Sequence, residues 1–137
     1  MRAEEGMGRM TMLTPPEQAY LARMPQMLPT YTRLRAELTD AYPDMTVRVG
    51  RTQVTFCNRH VFAMASLPWR RVSRWPAAYL LVSFGLGARL PEPRIVQAVQ
   101  PYPGRWTHHV LVTAPEQIDG QLLDWIDQAY RFALTKR

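Results

Sequence analysis

Within residues 105–119 the spacing of apolar residues changes from the period of a β-strand to that of an α-helix. This change is the sequence feature that most constrains the fold. From Arg105 to Thr113 apolar and polar side chains alternate, as in a β-strand with one face buried. The more apolar set, Trp106, His108, Val110 and Val112, should face a helix layer. From Pro115 onward apolar residues recur three or four positions apart, which is typical of an amphipathic helix. The chain therefore contains a half-buried strand followed directly by a helix that covers a sheet.

The start of this helix carries a capping signature. Thr113 precedes Glu116 by three residues, so each side chain is expected to satisfy a free backbone N–H group of the other residue. Pro115 suits the first turn, because proline has no N–H to leave unpaired. We therefore predict a capping box at Thr113 and Glu116, and a helix from about Pro115 to Leu134.

Two more helices are predicted before the strands. A second capping box, Thr14 with Glu17, opens a helix that runs to about Met24 and is ended by Pro25. Pro29 opens another helix, which stops before Pro43. Its apolar residues define one face, and its charged residues are expected on the solvent side. Those charged residues are Arg33, Arg35, Glu37 and Asp40.

From residue 46 onward, apolar and polar side chains alternate with the period of two residues that is typical of β-strands. The predicted strands are Thr46–Val49, Thr52–Phe56, Val61–Leu67 and Tyr79–Phe84, followed by the strand at residues 105–113. Ile95–Gln100 fits a further strand better than the alternative, a short helical turn. The whole order predicts an α+β two-layer domain: an N-terminal helical hairpin, an antiparallel sheet of about four to six strands, and a C-terminal helix packed on the sheet.

Length and composition fit one domain. The chain has 137 residues, of which 47% are hydrophobic, so it can bury a core of its own. We expect residues 1–13 to be a mobile tail and residues 14–137 to form a single domain. One cysteine, Cys57, excludes an intramolecular disulfide. The longest apolar run, at residues 77–84, is far shorter than the ~20 residues of a membrane helix. A cytoplasmic protein with no membrane association and no cofactor is the expectation.

Basic residues are concentrated in the middle of the chain. The formal net charge is +6, yet residues 45–115 contain nine arginines and one acid, Glu92, a local balance of +8. Two explanations stay open. Either a genome rich in arginine codons spreads these charges over the surface, or they form a basic face for phosphates, nucleic acid or an acidic partner. The nine are Arg48, Arg51, Arg59, Arg70, Arg71, Arg74, Arg89, Arg94 and Arg105.

Polar residues on the predicted strands and turns provide a candidate ligand site. If they converge on one sheet face, their forked donors, amides and imidazoles would suit a small anion or a phosphodiester backbone. Gln53 and Asn58 alternatively cap turns or strand edges. The candidate ligand-binding residues are Thr52, Gln53, Asn58, Arg59, His60, Arg105 and His109.

The histidines and the cysteine do not predict a metal site. His108 and His109 are neighbours on a strand, so their side chains diverge. We expect His108 at the edge of the core, and His109 on the more polar face, where it would suit an acid–base or phosphate-donor role. Cys57 and His60 have a metal-ligand spacing, but no second Cys/His pair completes a zinc site.

Several short sequence motifs, taken together, resemble those of a known family. Over roughly residues 28–132 the chain resembles the bacterial "domain of unknown function 5655" family. The resemblance implies a small cytoplasmic domain without an established activity, so it implies no catalytic residues. The motifs on which this resemblance rests are Thr52–Phe56, Asn58–Ala63, Phe84–Gly87, Arg105–Val110, Glu116, Asp119, Leu122–Trp125 and Ala129–Tyr130.

Three functions stay open. The first, which we favour, is a non-enzymatic binding module that holds an anionic small molecule or nucleic acid on an arginine-rich sheet face. The second is a small enzyme with His109 or His60 as acid–base residue beside Arg105. The third is a protein-interaction module that docks a partner, or a second copy in a homo-oligomer, through the loop with Trp69 and Trp75.

Overall fold

The computed structural model describes residues 13–136 as a six-stranded antiparallel sheet with helices on one face. The predicted α+β two-layer arrangement is confirmed. The helices are α1 (Pro15–Leu21), α2 (Leu28–Ala41) and α3 (Gly120–Leu134). The strands are β1 (Thr46–Val49), β2 (Val54–Asn58), β3 (His60–Ser66), β4 (Leu80–Leu86), β5 (Ile95–Tyr102) and β6 (Arg105–Val112), in the spatial order β1-β2-β3-β4-β6-β5. None of the helices in this range is long and apolar enough to cross a membrane.

Every predicted strand forms: β1 has the predicted bounds, and the ends of the other strands are shifted by one or more residues. The segment after Ile95 is a strand and not a helical turn. β2 begins at Val54, two residues later than predicted, because the Gly50 N–H donates to the Gln53 carbonyl at 2.8 Å and closes a turn there. The predicted tail lies outside the described residues except for Leu13, which packs against the core.

The capping box of α1 is confirmed. The Glu17 N–H donates to the Thr14 hydroxyl, and the Thr14 N–H donates to a Glu17 carboxylate oxygen at 2.9 Å. The helix ends at Leu21, earlier than predicted. The N–H groups of Arg23 and Met24 instead donate three residues back, in a tighter turn that leads to the 3₁₀ turn Pro25–Met27.

The predicted capping box at Thr113 and Glu116 is wrong. Thr113 exchanges hydrogen bonds with the Gln117 side chain instead. Residues Pro115–Gln117 form only a 3₁₀ turn, and Asp119 caps α3 by accepting from the Leu122 N–H at 3.0 Å. Ile118 separates the two elements in a non-helical conformation and is fully buried. Breaking the helix here allows this side chain to enter the core.

The core lies between the helices and one face of the sheet. The predicted orientation of β6 is confirmed, because His108, Val110 and Val112 are fully buried on this face. Tyr31 of α2 stacks against Phe56 of β2 at a ring-centroid distance of 6.5 Å. A bulge in β3 places Phe62 out of register, where it packs on Tyr42 and Tyr130 and links the ends of α2 and α3.

A buried ion pair joins α1 to α2. Glu17 is fully buried and accepts hydrogen bonds from Arg35 Nε at 2.7 Å and from the Tyr31 hydroxyl. The prediction that Arg35 lies on the solvent side of α2 is therefore wrong. Its guanidinium points toward α1 because an unpaired carboxylate at Glu17 would be costly to bury.

The other face of the sheet, which we call the open face, carries no helix among residues 13–136. One residue from each strand forms a row across it in register, with Met64 and Ser83 at its centre. Because neighbouring strands run antiparallel, the β1–β2 turn and the β3–β4 connection lie at one end of the sheet. We call this end, formed by residues 50–53 and 67–79, the connection end. The row is Arg48, Thr55, Met64, Ser83, His109 and Gln97.

Candidate functional site

The seven predicted ligand-binding residues do not assemble into one site. Thr52 and Gln53 line a shallow groove on the open face at the connection end. Asn58, Arg59 and His60 form the β2–β3 turn at the opposite end of the sheet. The first two and the last three of these five candidates therefore lie at opposite ends of the sheet.

The residues of the β2–β3 turn have local structural roles. Asn58 lies on the helix face, where its amide donates to the Tyr130 hydroxyl at 2.8 Å. Arg59 adopts a left-handed conformation with φ of 62°, as the tight turn between β2 and β3 requires. His60 buries its Nε2 without a hydrogen-bond partner among the described residues. Asn58 and its pair partner His60 therefore lie on the helix face and not on the open face.

Arg105 and His109 are separated along β6. The Arg105 guanidinium lies over the rings of Tyr102 and Phe132, at 5.0 Å and 6.0 Å from their centroids. His109 lies four residues farther along the strand, roughly 13 Å away at the rise of a β-strand. Its Nδ1 is 2.7 Å from the Ser83 hydroxyl on the open face. The predicted pairing of His109 with Arg105 is thus not formed.

The surroundings of both adjacent histidines favour the neutral imidazole. Burial lowers the pKa of His109 below its ordinary value, and His108 acts in the same direction. Burial also lowers the pKa of His108. Because His108 Nε2 accepts from the Leu90 N–H at 2.9 Å, its proton is on Nδ1. His108 is therefore a core residue that also holds the β4–β5 connection, deeper than the predicted core edge.

No cluster of three or more metal-ligating side chains occurs among residues 13–136. Cys57 and His60 have the spacing of metal ligands but point to opposite faces of the sheet. Cys57 is buried on the open face, where Arg48 Nη2 lies 3.4 Å from its sulfur. His60 pairs with Asn58, whose side chain contacts α3.

The arginines of the middle segment lie mainly at the ends of the sheet. Of the nine, only Arg48 and Arg105 are within strands, and the others are in turns and connections. An arginine-rich sheet face, as the sequence predicted it, is therefore not what the fold produces. Within the described part of the chain, Arg94 is the one member of the nine that forms an ion pair, with Asp119 at 2.8 Å. The remaining eight keep their charge without a carboxylate partner there.

Three arginines meet around an exposed tryptophan at the connection end. Arg23 of the α1–α2 linker and Arg51 of the β1–β2 turn line a cleft with Trp69. Arg23 Nη1 also donates to the Arg51 carbonyl at 2.6 Å. The guanidinium carbon of Arg70 is 5.1 Å from the centroid of the Trp69 ring. We call these four residues the tryptophan cluster; its indole is 78% exposed.

Tyr20 of α1 holds the parts of the tryptophan cluster together. Its buried hydroxyl donates to the Thr52 carbonyl at 2.7 Å and accepts from the Leu67 N–H at 2.9 Å. Burial raises the pKa of this hydroxyl, so it remains protonated and able to donate. One side chain thereby fixes the β1–β2 turn, the β3–β4 connection and the end of α1 relative to one another.

A groove of about 330 Å³ lies beside the cluster, between the β3–β4 connection and the open face. Trp69 and Arg70 belong to its rim. Trp75 and Tyr79 form an aromatic wall, with their rings edge to face and 5.7 Å apart. Polar side chains from the sheet, such as Gln97, complete the lining. This volume lies within the range of small-molecule sites.

The family model described as "Domain of unknown function (DUF5655)" matches residues 17–133. The chain belongs to this family. No curated protein and no solved structure matches the sequence. The matched region extends farther toward the N-terminus than the resemblance predicted from sequence phrases. It includes Tyr20 and Arg23, so all members of the tryptophan cluster lie within the family's domain.

Sequence reasoning found only part of this site. The sequence assigned Trp69 to protein docking, whereas it counted Arg51 and Arg70 among the nine arginines of a possible basic face. Tyr20 and Arg23 were not singled out, because nothing in a short helix indicates that it will be packed beside residues 51 and 69. An aromatic at the end of α1 and an arginine three positions later, in the α1–α2 linker, were the only available signal.

Proposed function

We propose that this protein is a binding domain for a phosphate-bearing ligand, and that the ligand docks at the tryptophan cluster. One observation carries the proposal: Arg23, Arg51 and Arg70 surround Trp69, and none of them has a carboxylate partner among residues 13–136. Guanidinium groups match the geometry of phosphate oxygens and remain charged at any physiological pH.

The distribution of acidic residues supports the same conclusion. The ion-paired arginines of the described chain all have a partner on a helix or at its cap. Glu92 is the single acid between residues 45 and 115. Positive charge therefore predominates in the turns and connections between the strands, and an approaching anion is attracted toward it.

The first test is the salt dependence of binding. We expect the protein to bind a labelled oligothymidylate, with the logarithm of the association constant falling linearly with the logarithm of salt concentration. Arg70→Ala should weaken binding and reduce the slope by about 1, because one phosphate contact is lost. Fluorescence anisotropy over a salt series measures both quantities.

Arg89→Ala is the matched control, since Arg89 is an exposed residue without an ion pair among residues 13–136, next to Leu90, whose N–H is bonded to His108 of β6. It removes the same charge and should change the slope much less than Arg70→Ala. If the two substitutions had equal effects, binding would depend only on the net charge of the protein and not on the tryptophan cluster. Binding that does not change with salt would refute the proposal.

A second candidate is a protein-interaction module, favoured by the exposure of Trp69. In that case Trp69 would dock a partner or a second copy of the chain. Sedimentation equilibrium should then give a mass that rises with protein concentration, and Trp69→Ala should abolish the rise.

We further propose a cytoplasmic location, which the free thiol of the buried Cys57 supports.

A further inference from the structure

We infer that the ligand of the tryptophan cluster contains an unpaired nucleobase, and that Trp69 is the surface on which this base stacks. The inference rests on the proposed function and narrows it, from any phosphate-bearing ligand to single-stranded nucleic acid. Phosphate recognition alone requires only the arginines. An indole with 78% of its surface exposed has no role in it and is unfavourable to leave in water.

The geometry around Trp69 fits a stacking platform. One face of the indole is approached by Arg70, whose guanidinium carbon is 5.1 Å from the ring centroid. A flat cation over the ring is a cation–π contact, and it orients the indole at the surface. Arg23 and Arg51 line the cleft that also contains Trp69. A base and its phosphates would thus meet an aromatic ring with guanidinium groups beside it, the combination that single-strand binders use.

The adjoining groove extends the platform. It begins at Trp69 and Arg70 and continues along Trp75 and Tyr79 to the open face. Ser66 and Gln97 line it with a hydroxyl and an amide, which are able to pair with the edges of a base. A duplex hides these edges and both ring faces, so the inferred ligand is single-stranded.

The decisive comparison uses two polymers with the same number of phosphates. One is a labelled oligothymidylate, and the other is an abasic oligomer of equal length. We expect the wild-type protein to bind the first between about fivefold and one hundredfold more tightly, the range for one base stacked on an aromatic side chain. Trp69→Ala should remove this difference without changing the affinity for the abasic oligomer, and Trp69→Phe should retain most of it.

Tyr102→Ala is the control variant, because Tyr102 is also exposed and also lies beneath an arginine, Arg105, but at the far end of the sheet. It should leave both affinities unchanged. Thermal unfolding of each variant confirms that it is folded, as expected for replacement of an exposed side chain.

The possible failures are distinguishable. Equal affinity of the wild-type protein for the two polymers would overturn the stacking inference and leave the proposed phosphate binding intact. Binding of neither polymer would overturn both. If Trp69→Ala instead lowers the sedimentation mass and the polymers bind equally, Trp69 is a protein-docking residue and the inference is wrong.

Discussion

Replacement of Glu17 by glutamine is expected to lower the free energy of unfolding by about 3 kcal/mol at neutral pH. Glu17 is fully buried, and its carboxylate accepts from Arg35, Tyr31 and the Thr14 N–H. Glutamine keeps the shape of the side chain but removes its charge. The Arg35 guanidinium, only 18% exposed, then loses its counter-ion in a poorly solvated position. Chemical denaturation of both proteins measures the difference.

The pair Arg33 and Glu37 on the same helix gives the control. These side chains are about 40% exposed and four residues apart. Glu37→Gln should cost only about 0.3–0.5 kcal/mol, since water screens the interaction. The double variant Glu17→Gln with Arg35→Met should lose less than the sum of its two single variants. Simple additivity would show that the buried pair is not coupled.

The stabilisation from Glu17 should depend on pH. Burial raises the pKa of its carboxyl group, but hydrogen bonds from Arg35, Tyr31 and the Thr14 backbone outweigh burial and hold the pKa below its ordinary value of 4.5. A group whose pKa is lower in the folded state stabilises the protein above its unfolded pKa, and this contribution is lost as the pH falls through the folded pKa. The stability difference between wild type and Glu17→Gln should therefore be constant near neutrality and shrink below about pH 4.5.

Replacement of Phe84 by alanine should cost about 3–5 kcal/mol of unfolding free energy. Phe84 is fully buried in the middle of β4. Its ring lies between His108 and Trp125, with centroid distances of 5.2 Å and 5.9 Å. Truncation to alanine leaves a cavity where the sheet meets α3, and His108 and Trp125 both lose their stacking partner. Such a cost is a large share of the roughly 5–15 kcal/mol that stabilise an ordinary domain.

Two further substitutions calibrate this result. Phe84→Leu fills most of the cavity and should be clearly less destabilising than alanine. Val99→Ala removes an exposed side chain from the edge strand β5 and should change stability by less than about 0.5 kcal/mol. If Phe84→Ala were as mild as Val99→Ala, the sheet would not be packed on α3 through this residue.

The sequence predicted the elements better than their ends. The strand at residues 105–112 was evident because alternation is a property of the strand itself. The capping box at Thr14 was also correct, because its two partners are three residues apart. The equivalent box at Thr113 failed for a tertiary reason. Burying Ile118 requires a break in the chain, and Asp119 then provides the cap in place of Thr113.

The candidate site was less predictable than the fold. The sequence determined the amounts of helix and strand, the buried face of β6 and the excess of arginine in the middle of the chain. Each of these is set by residues close together in sequence. The tertiary structure alone decided that Arg23, Arg51 and Arg70 would meet around Trp69. That meeting depends on strand order and on Tyr20 bonding to two distant backbone segments, and no local pattern contains such information.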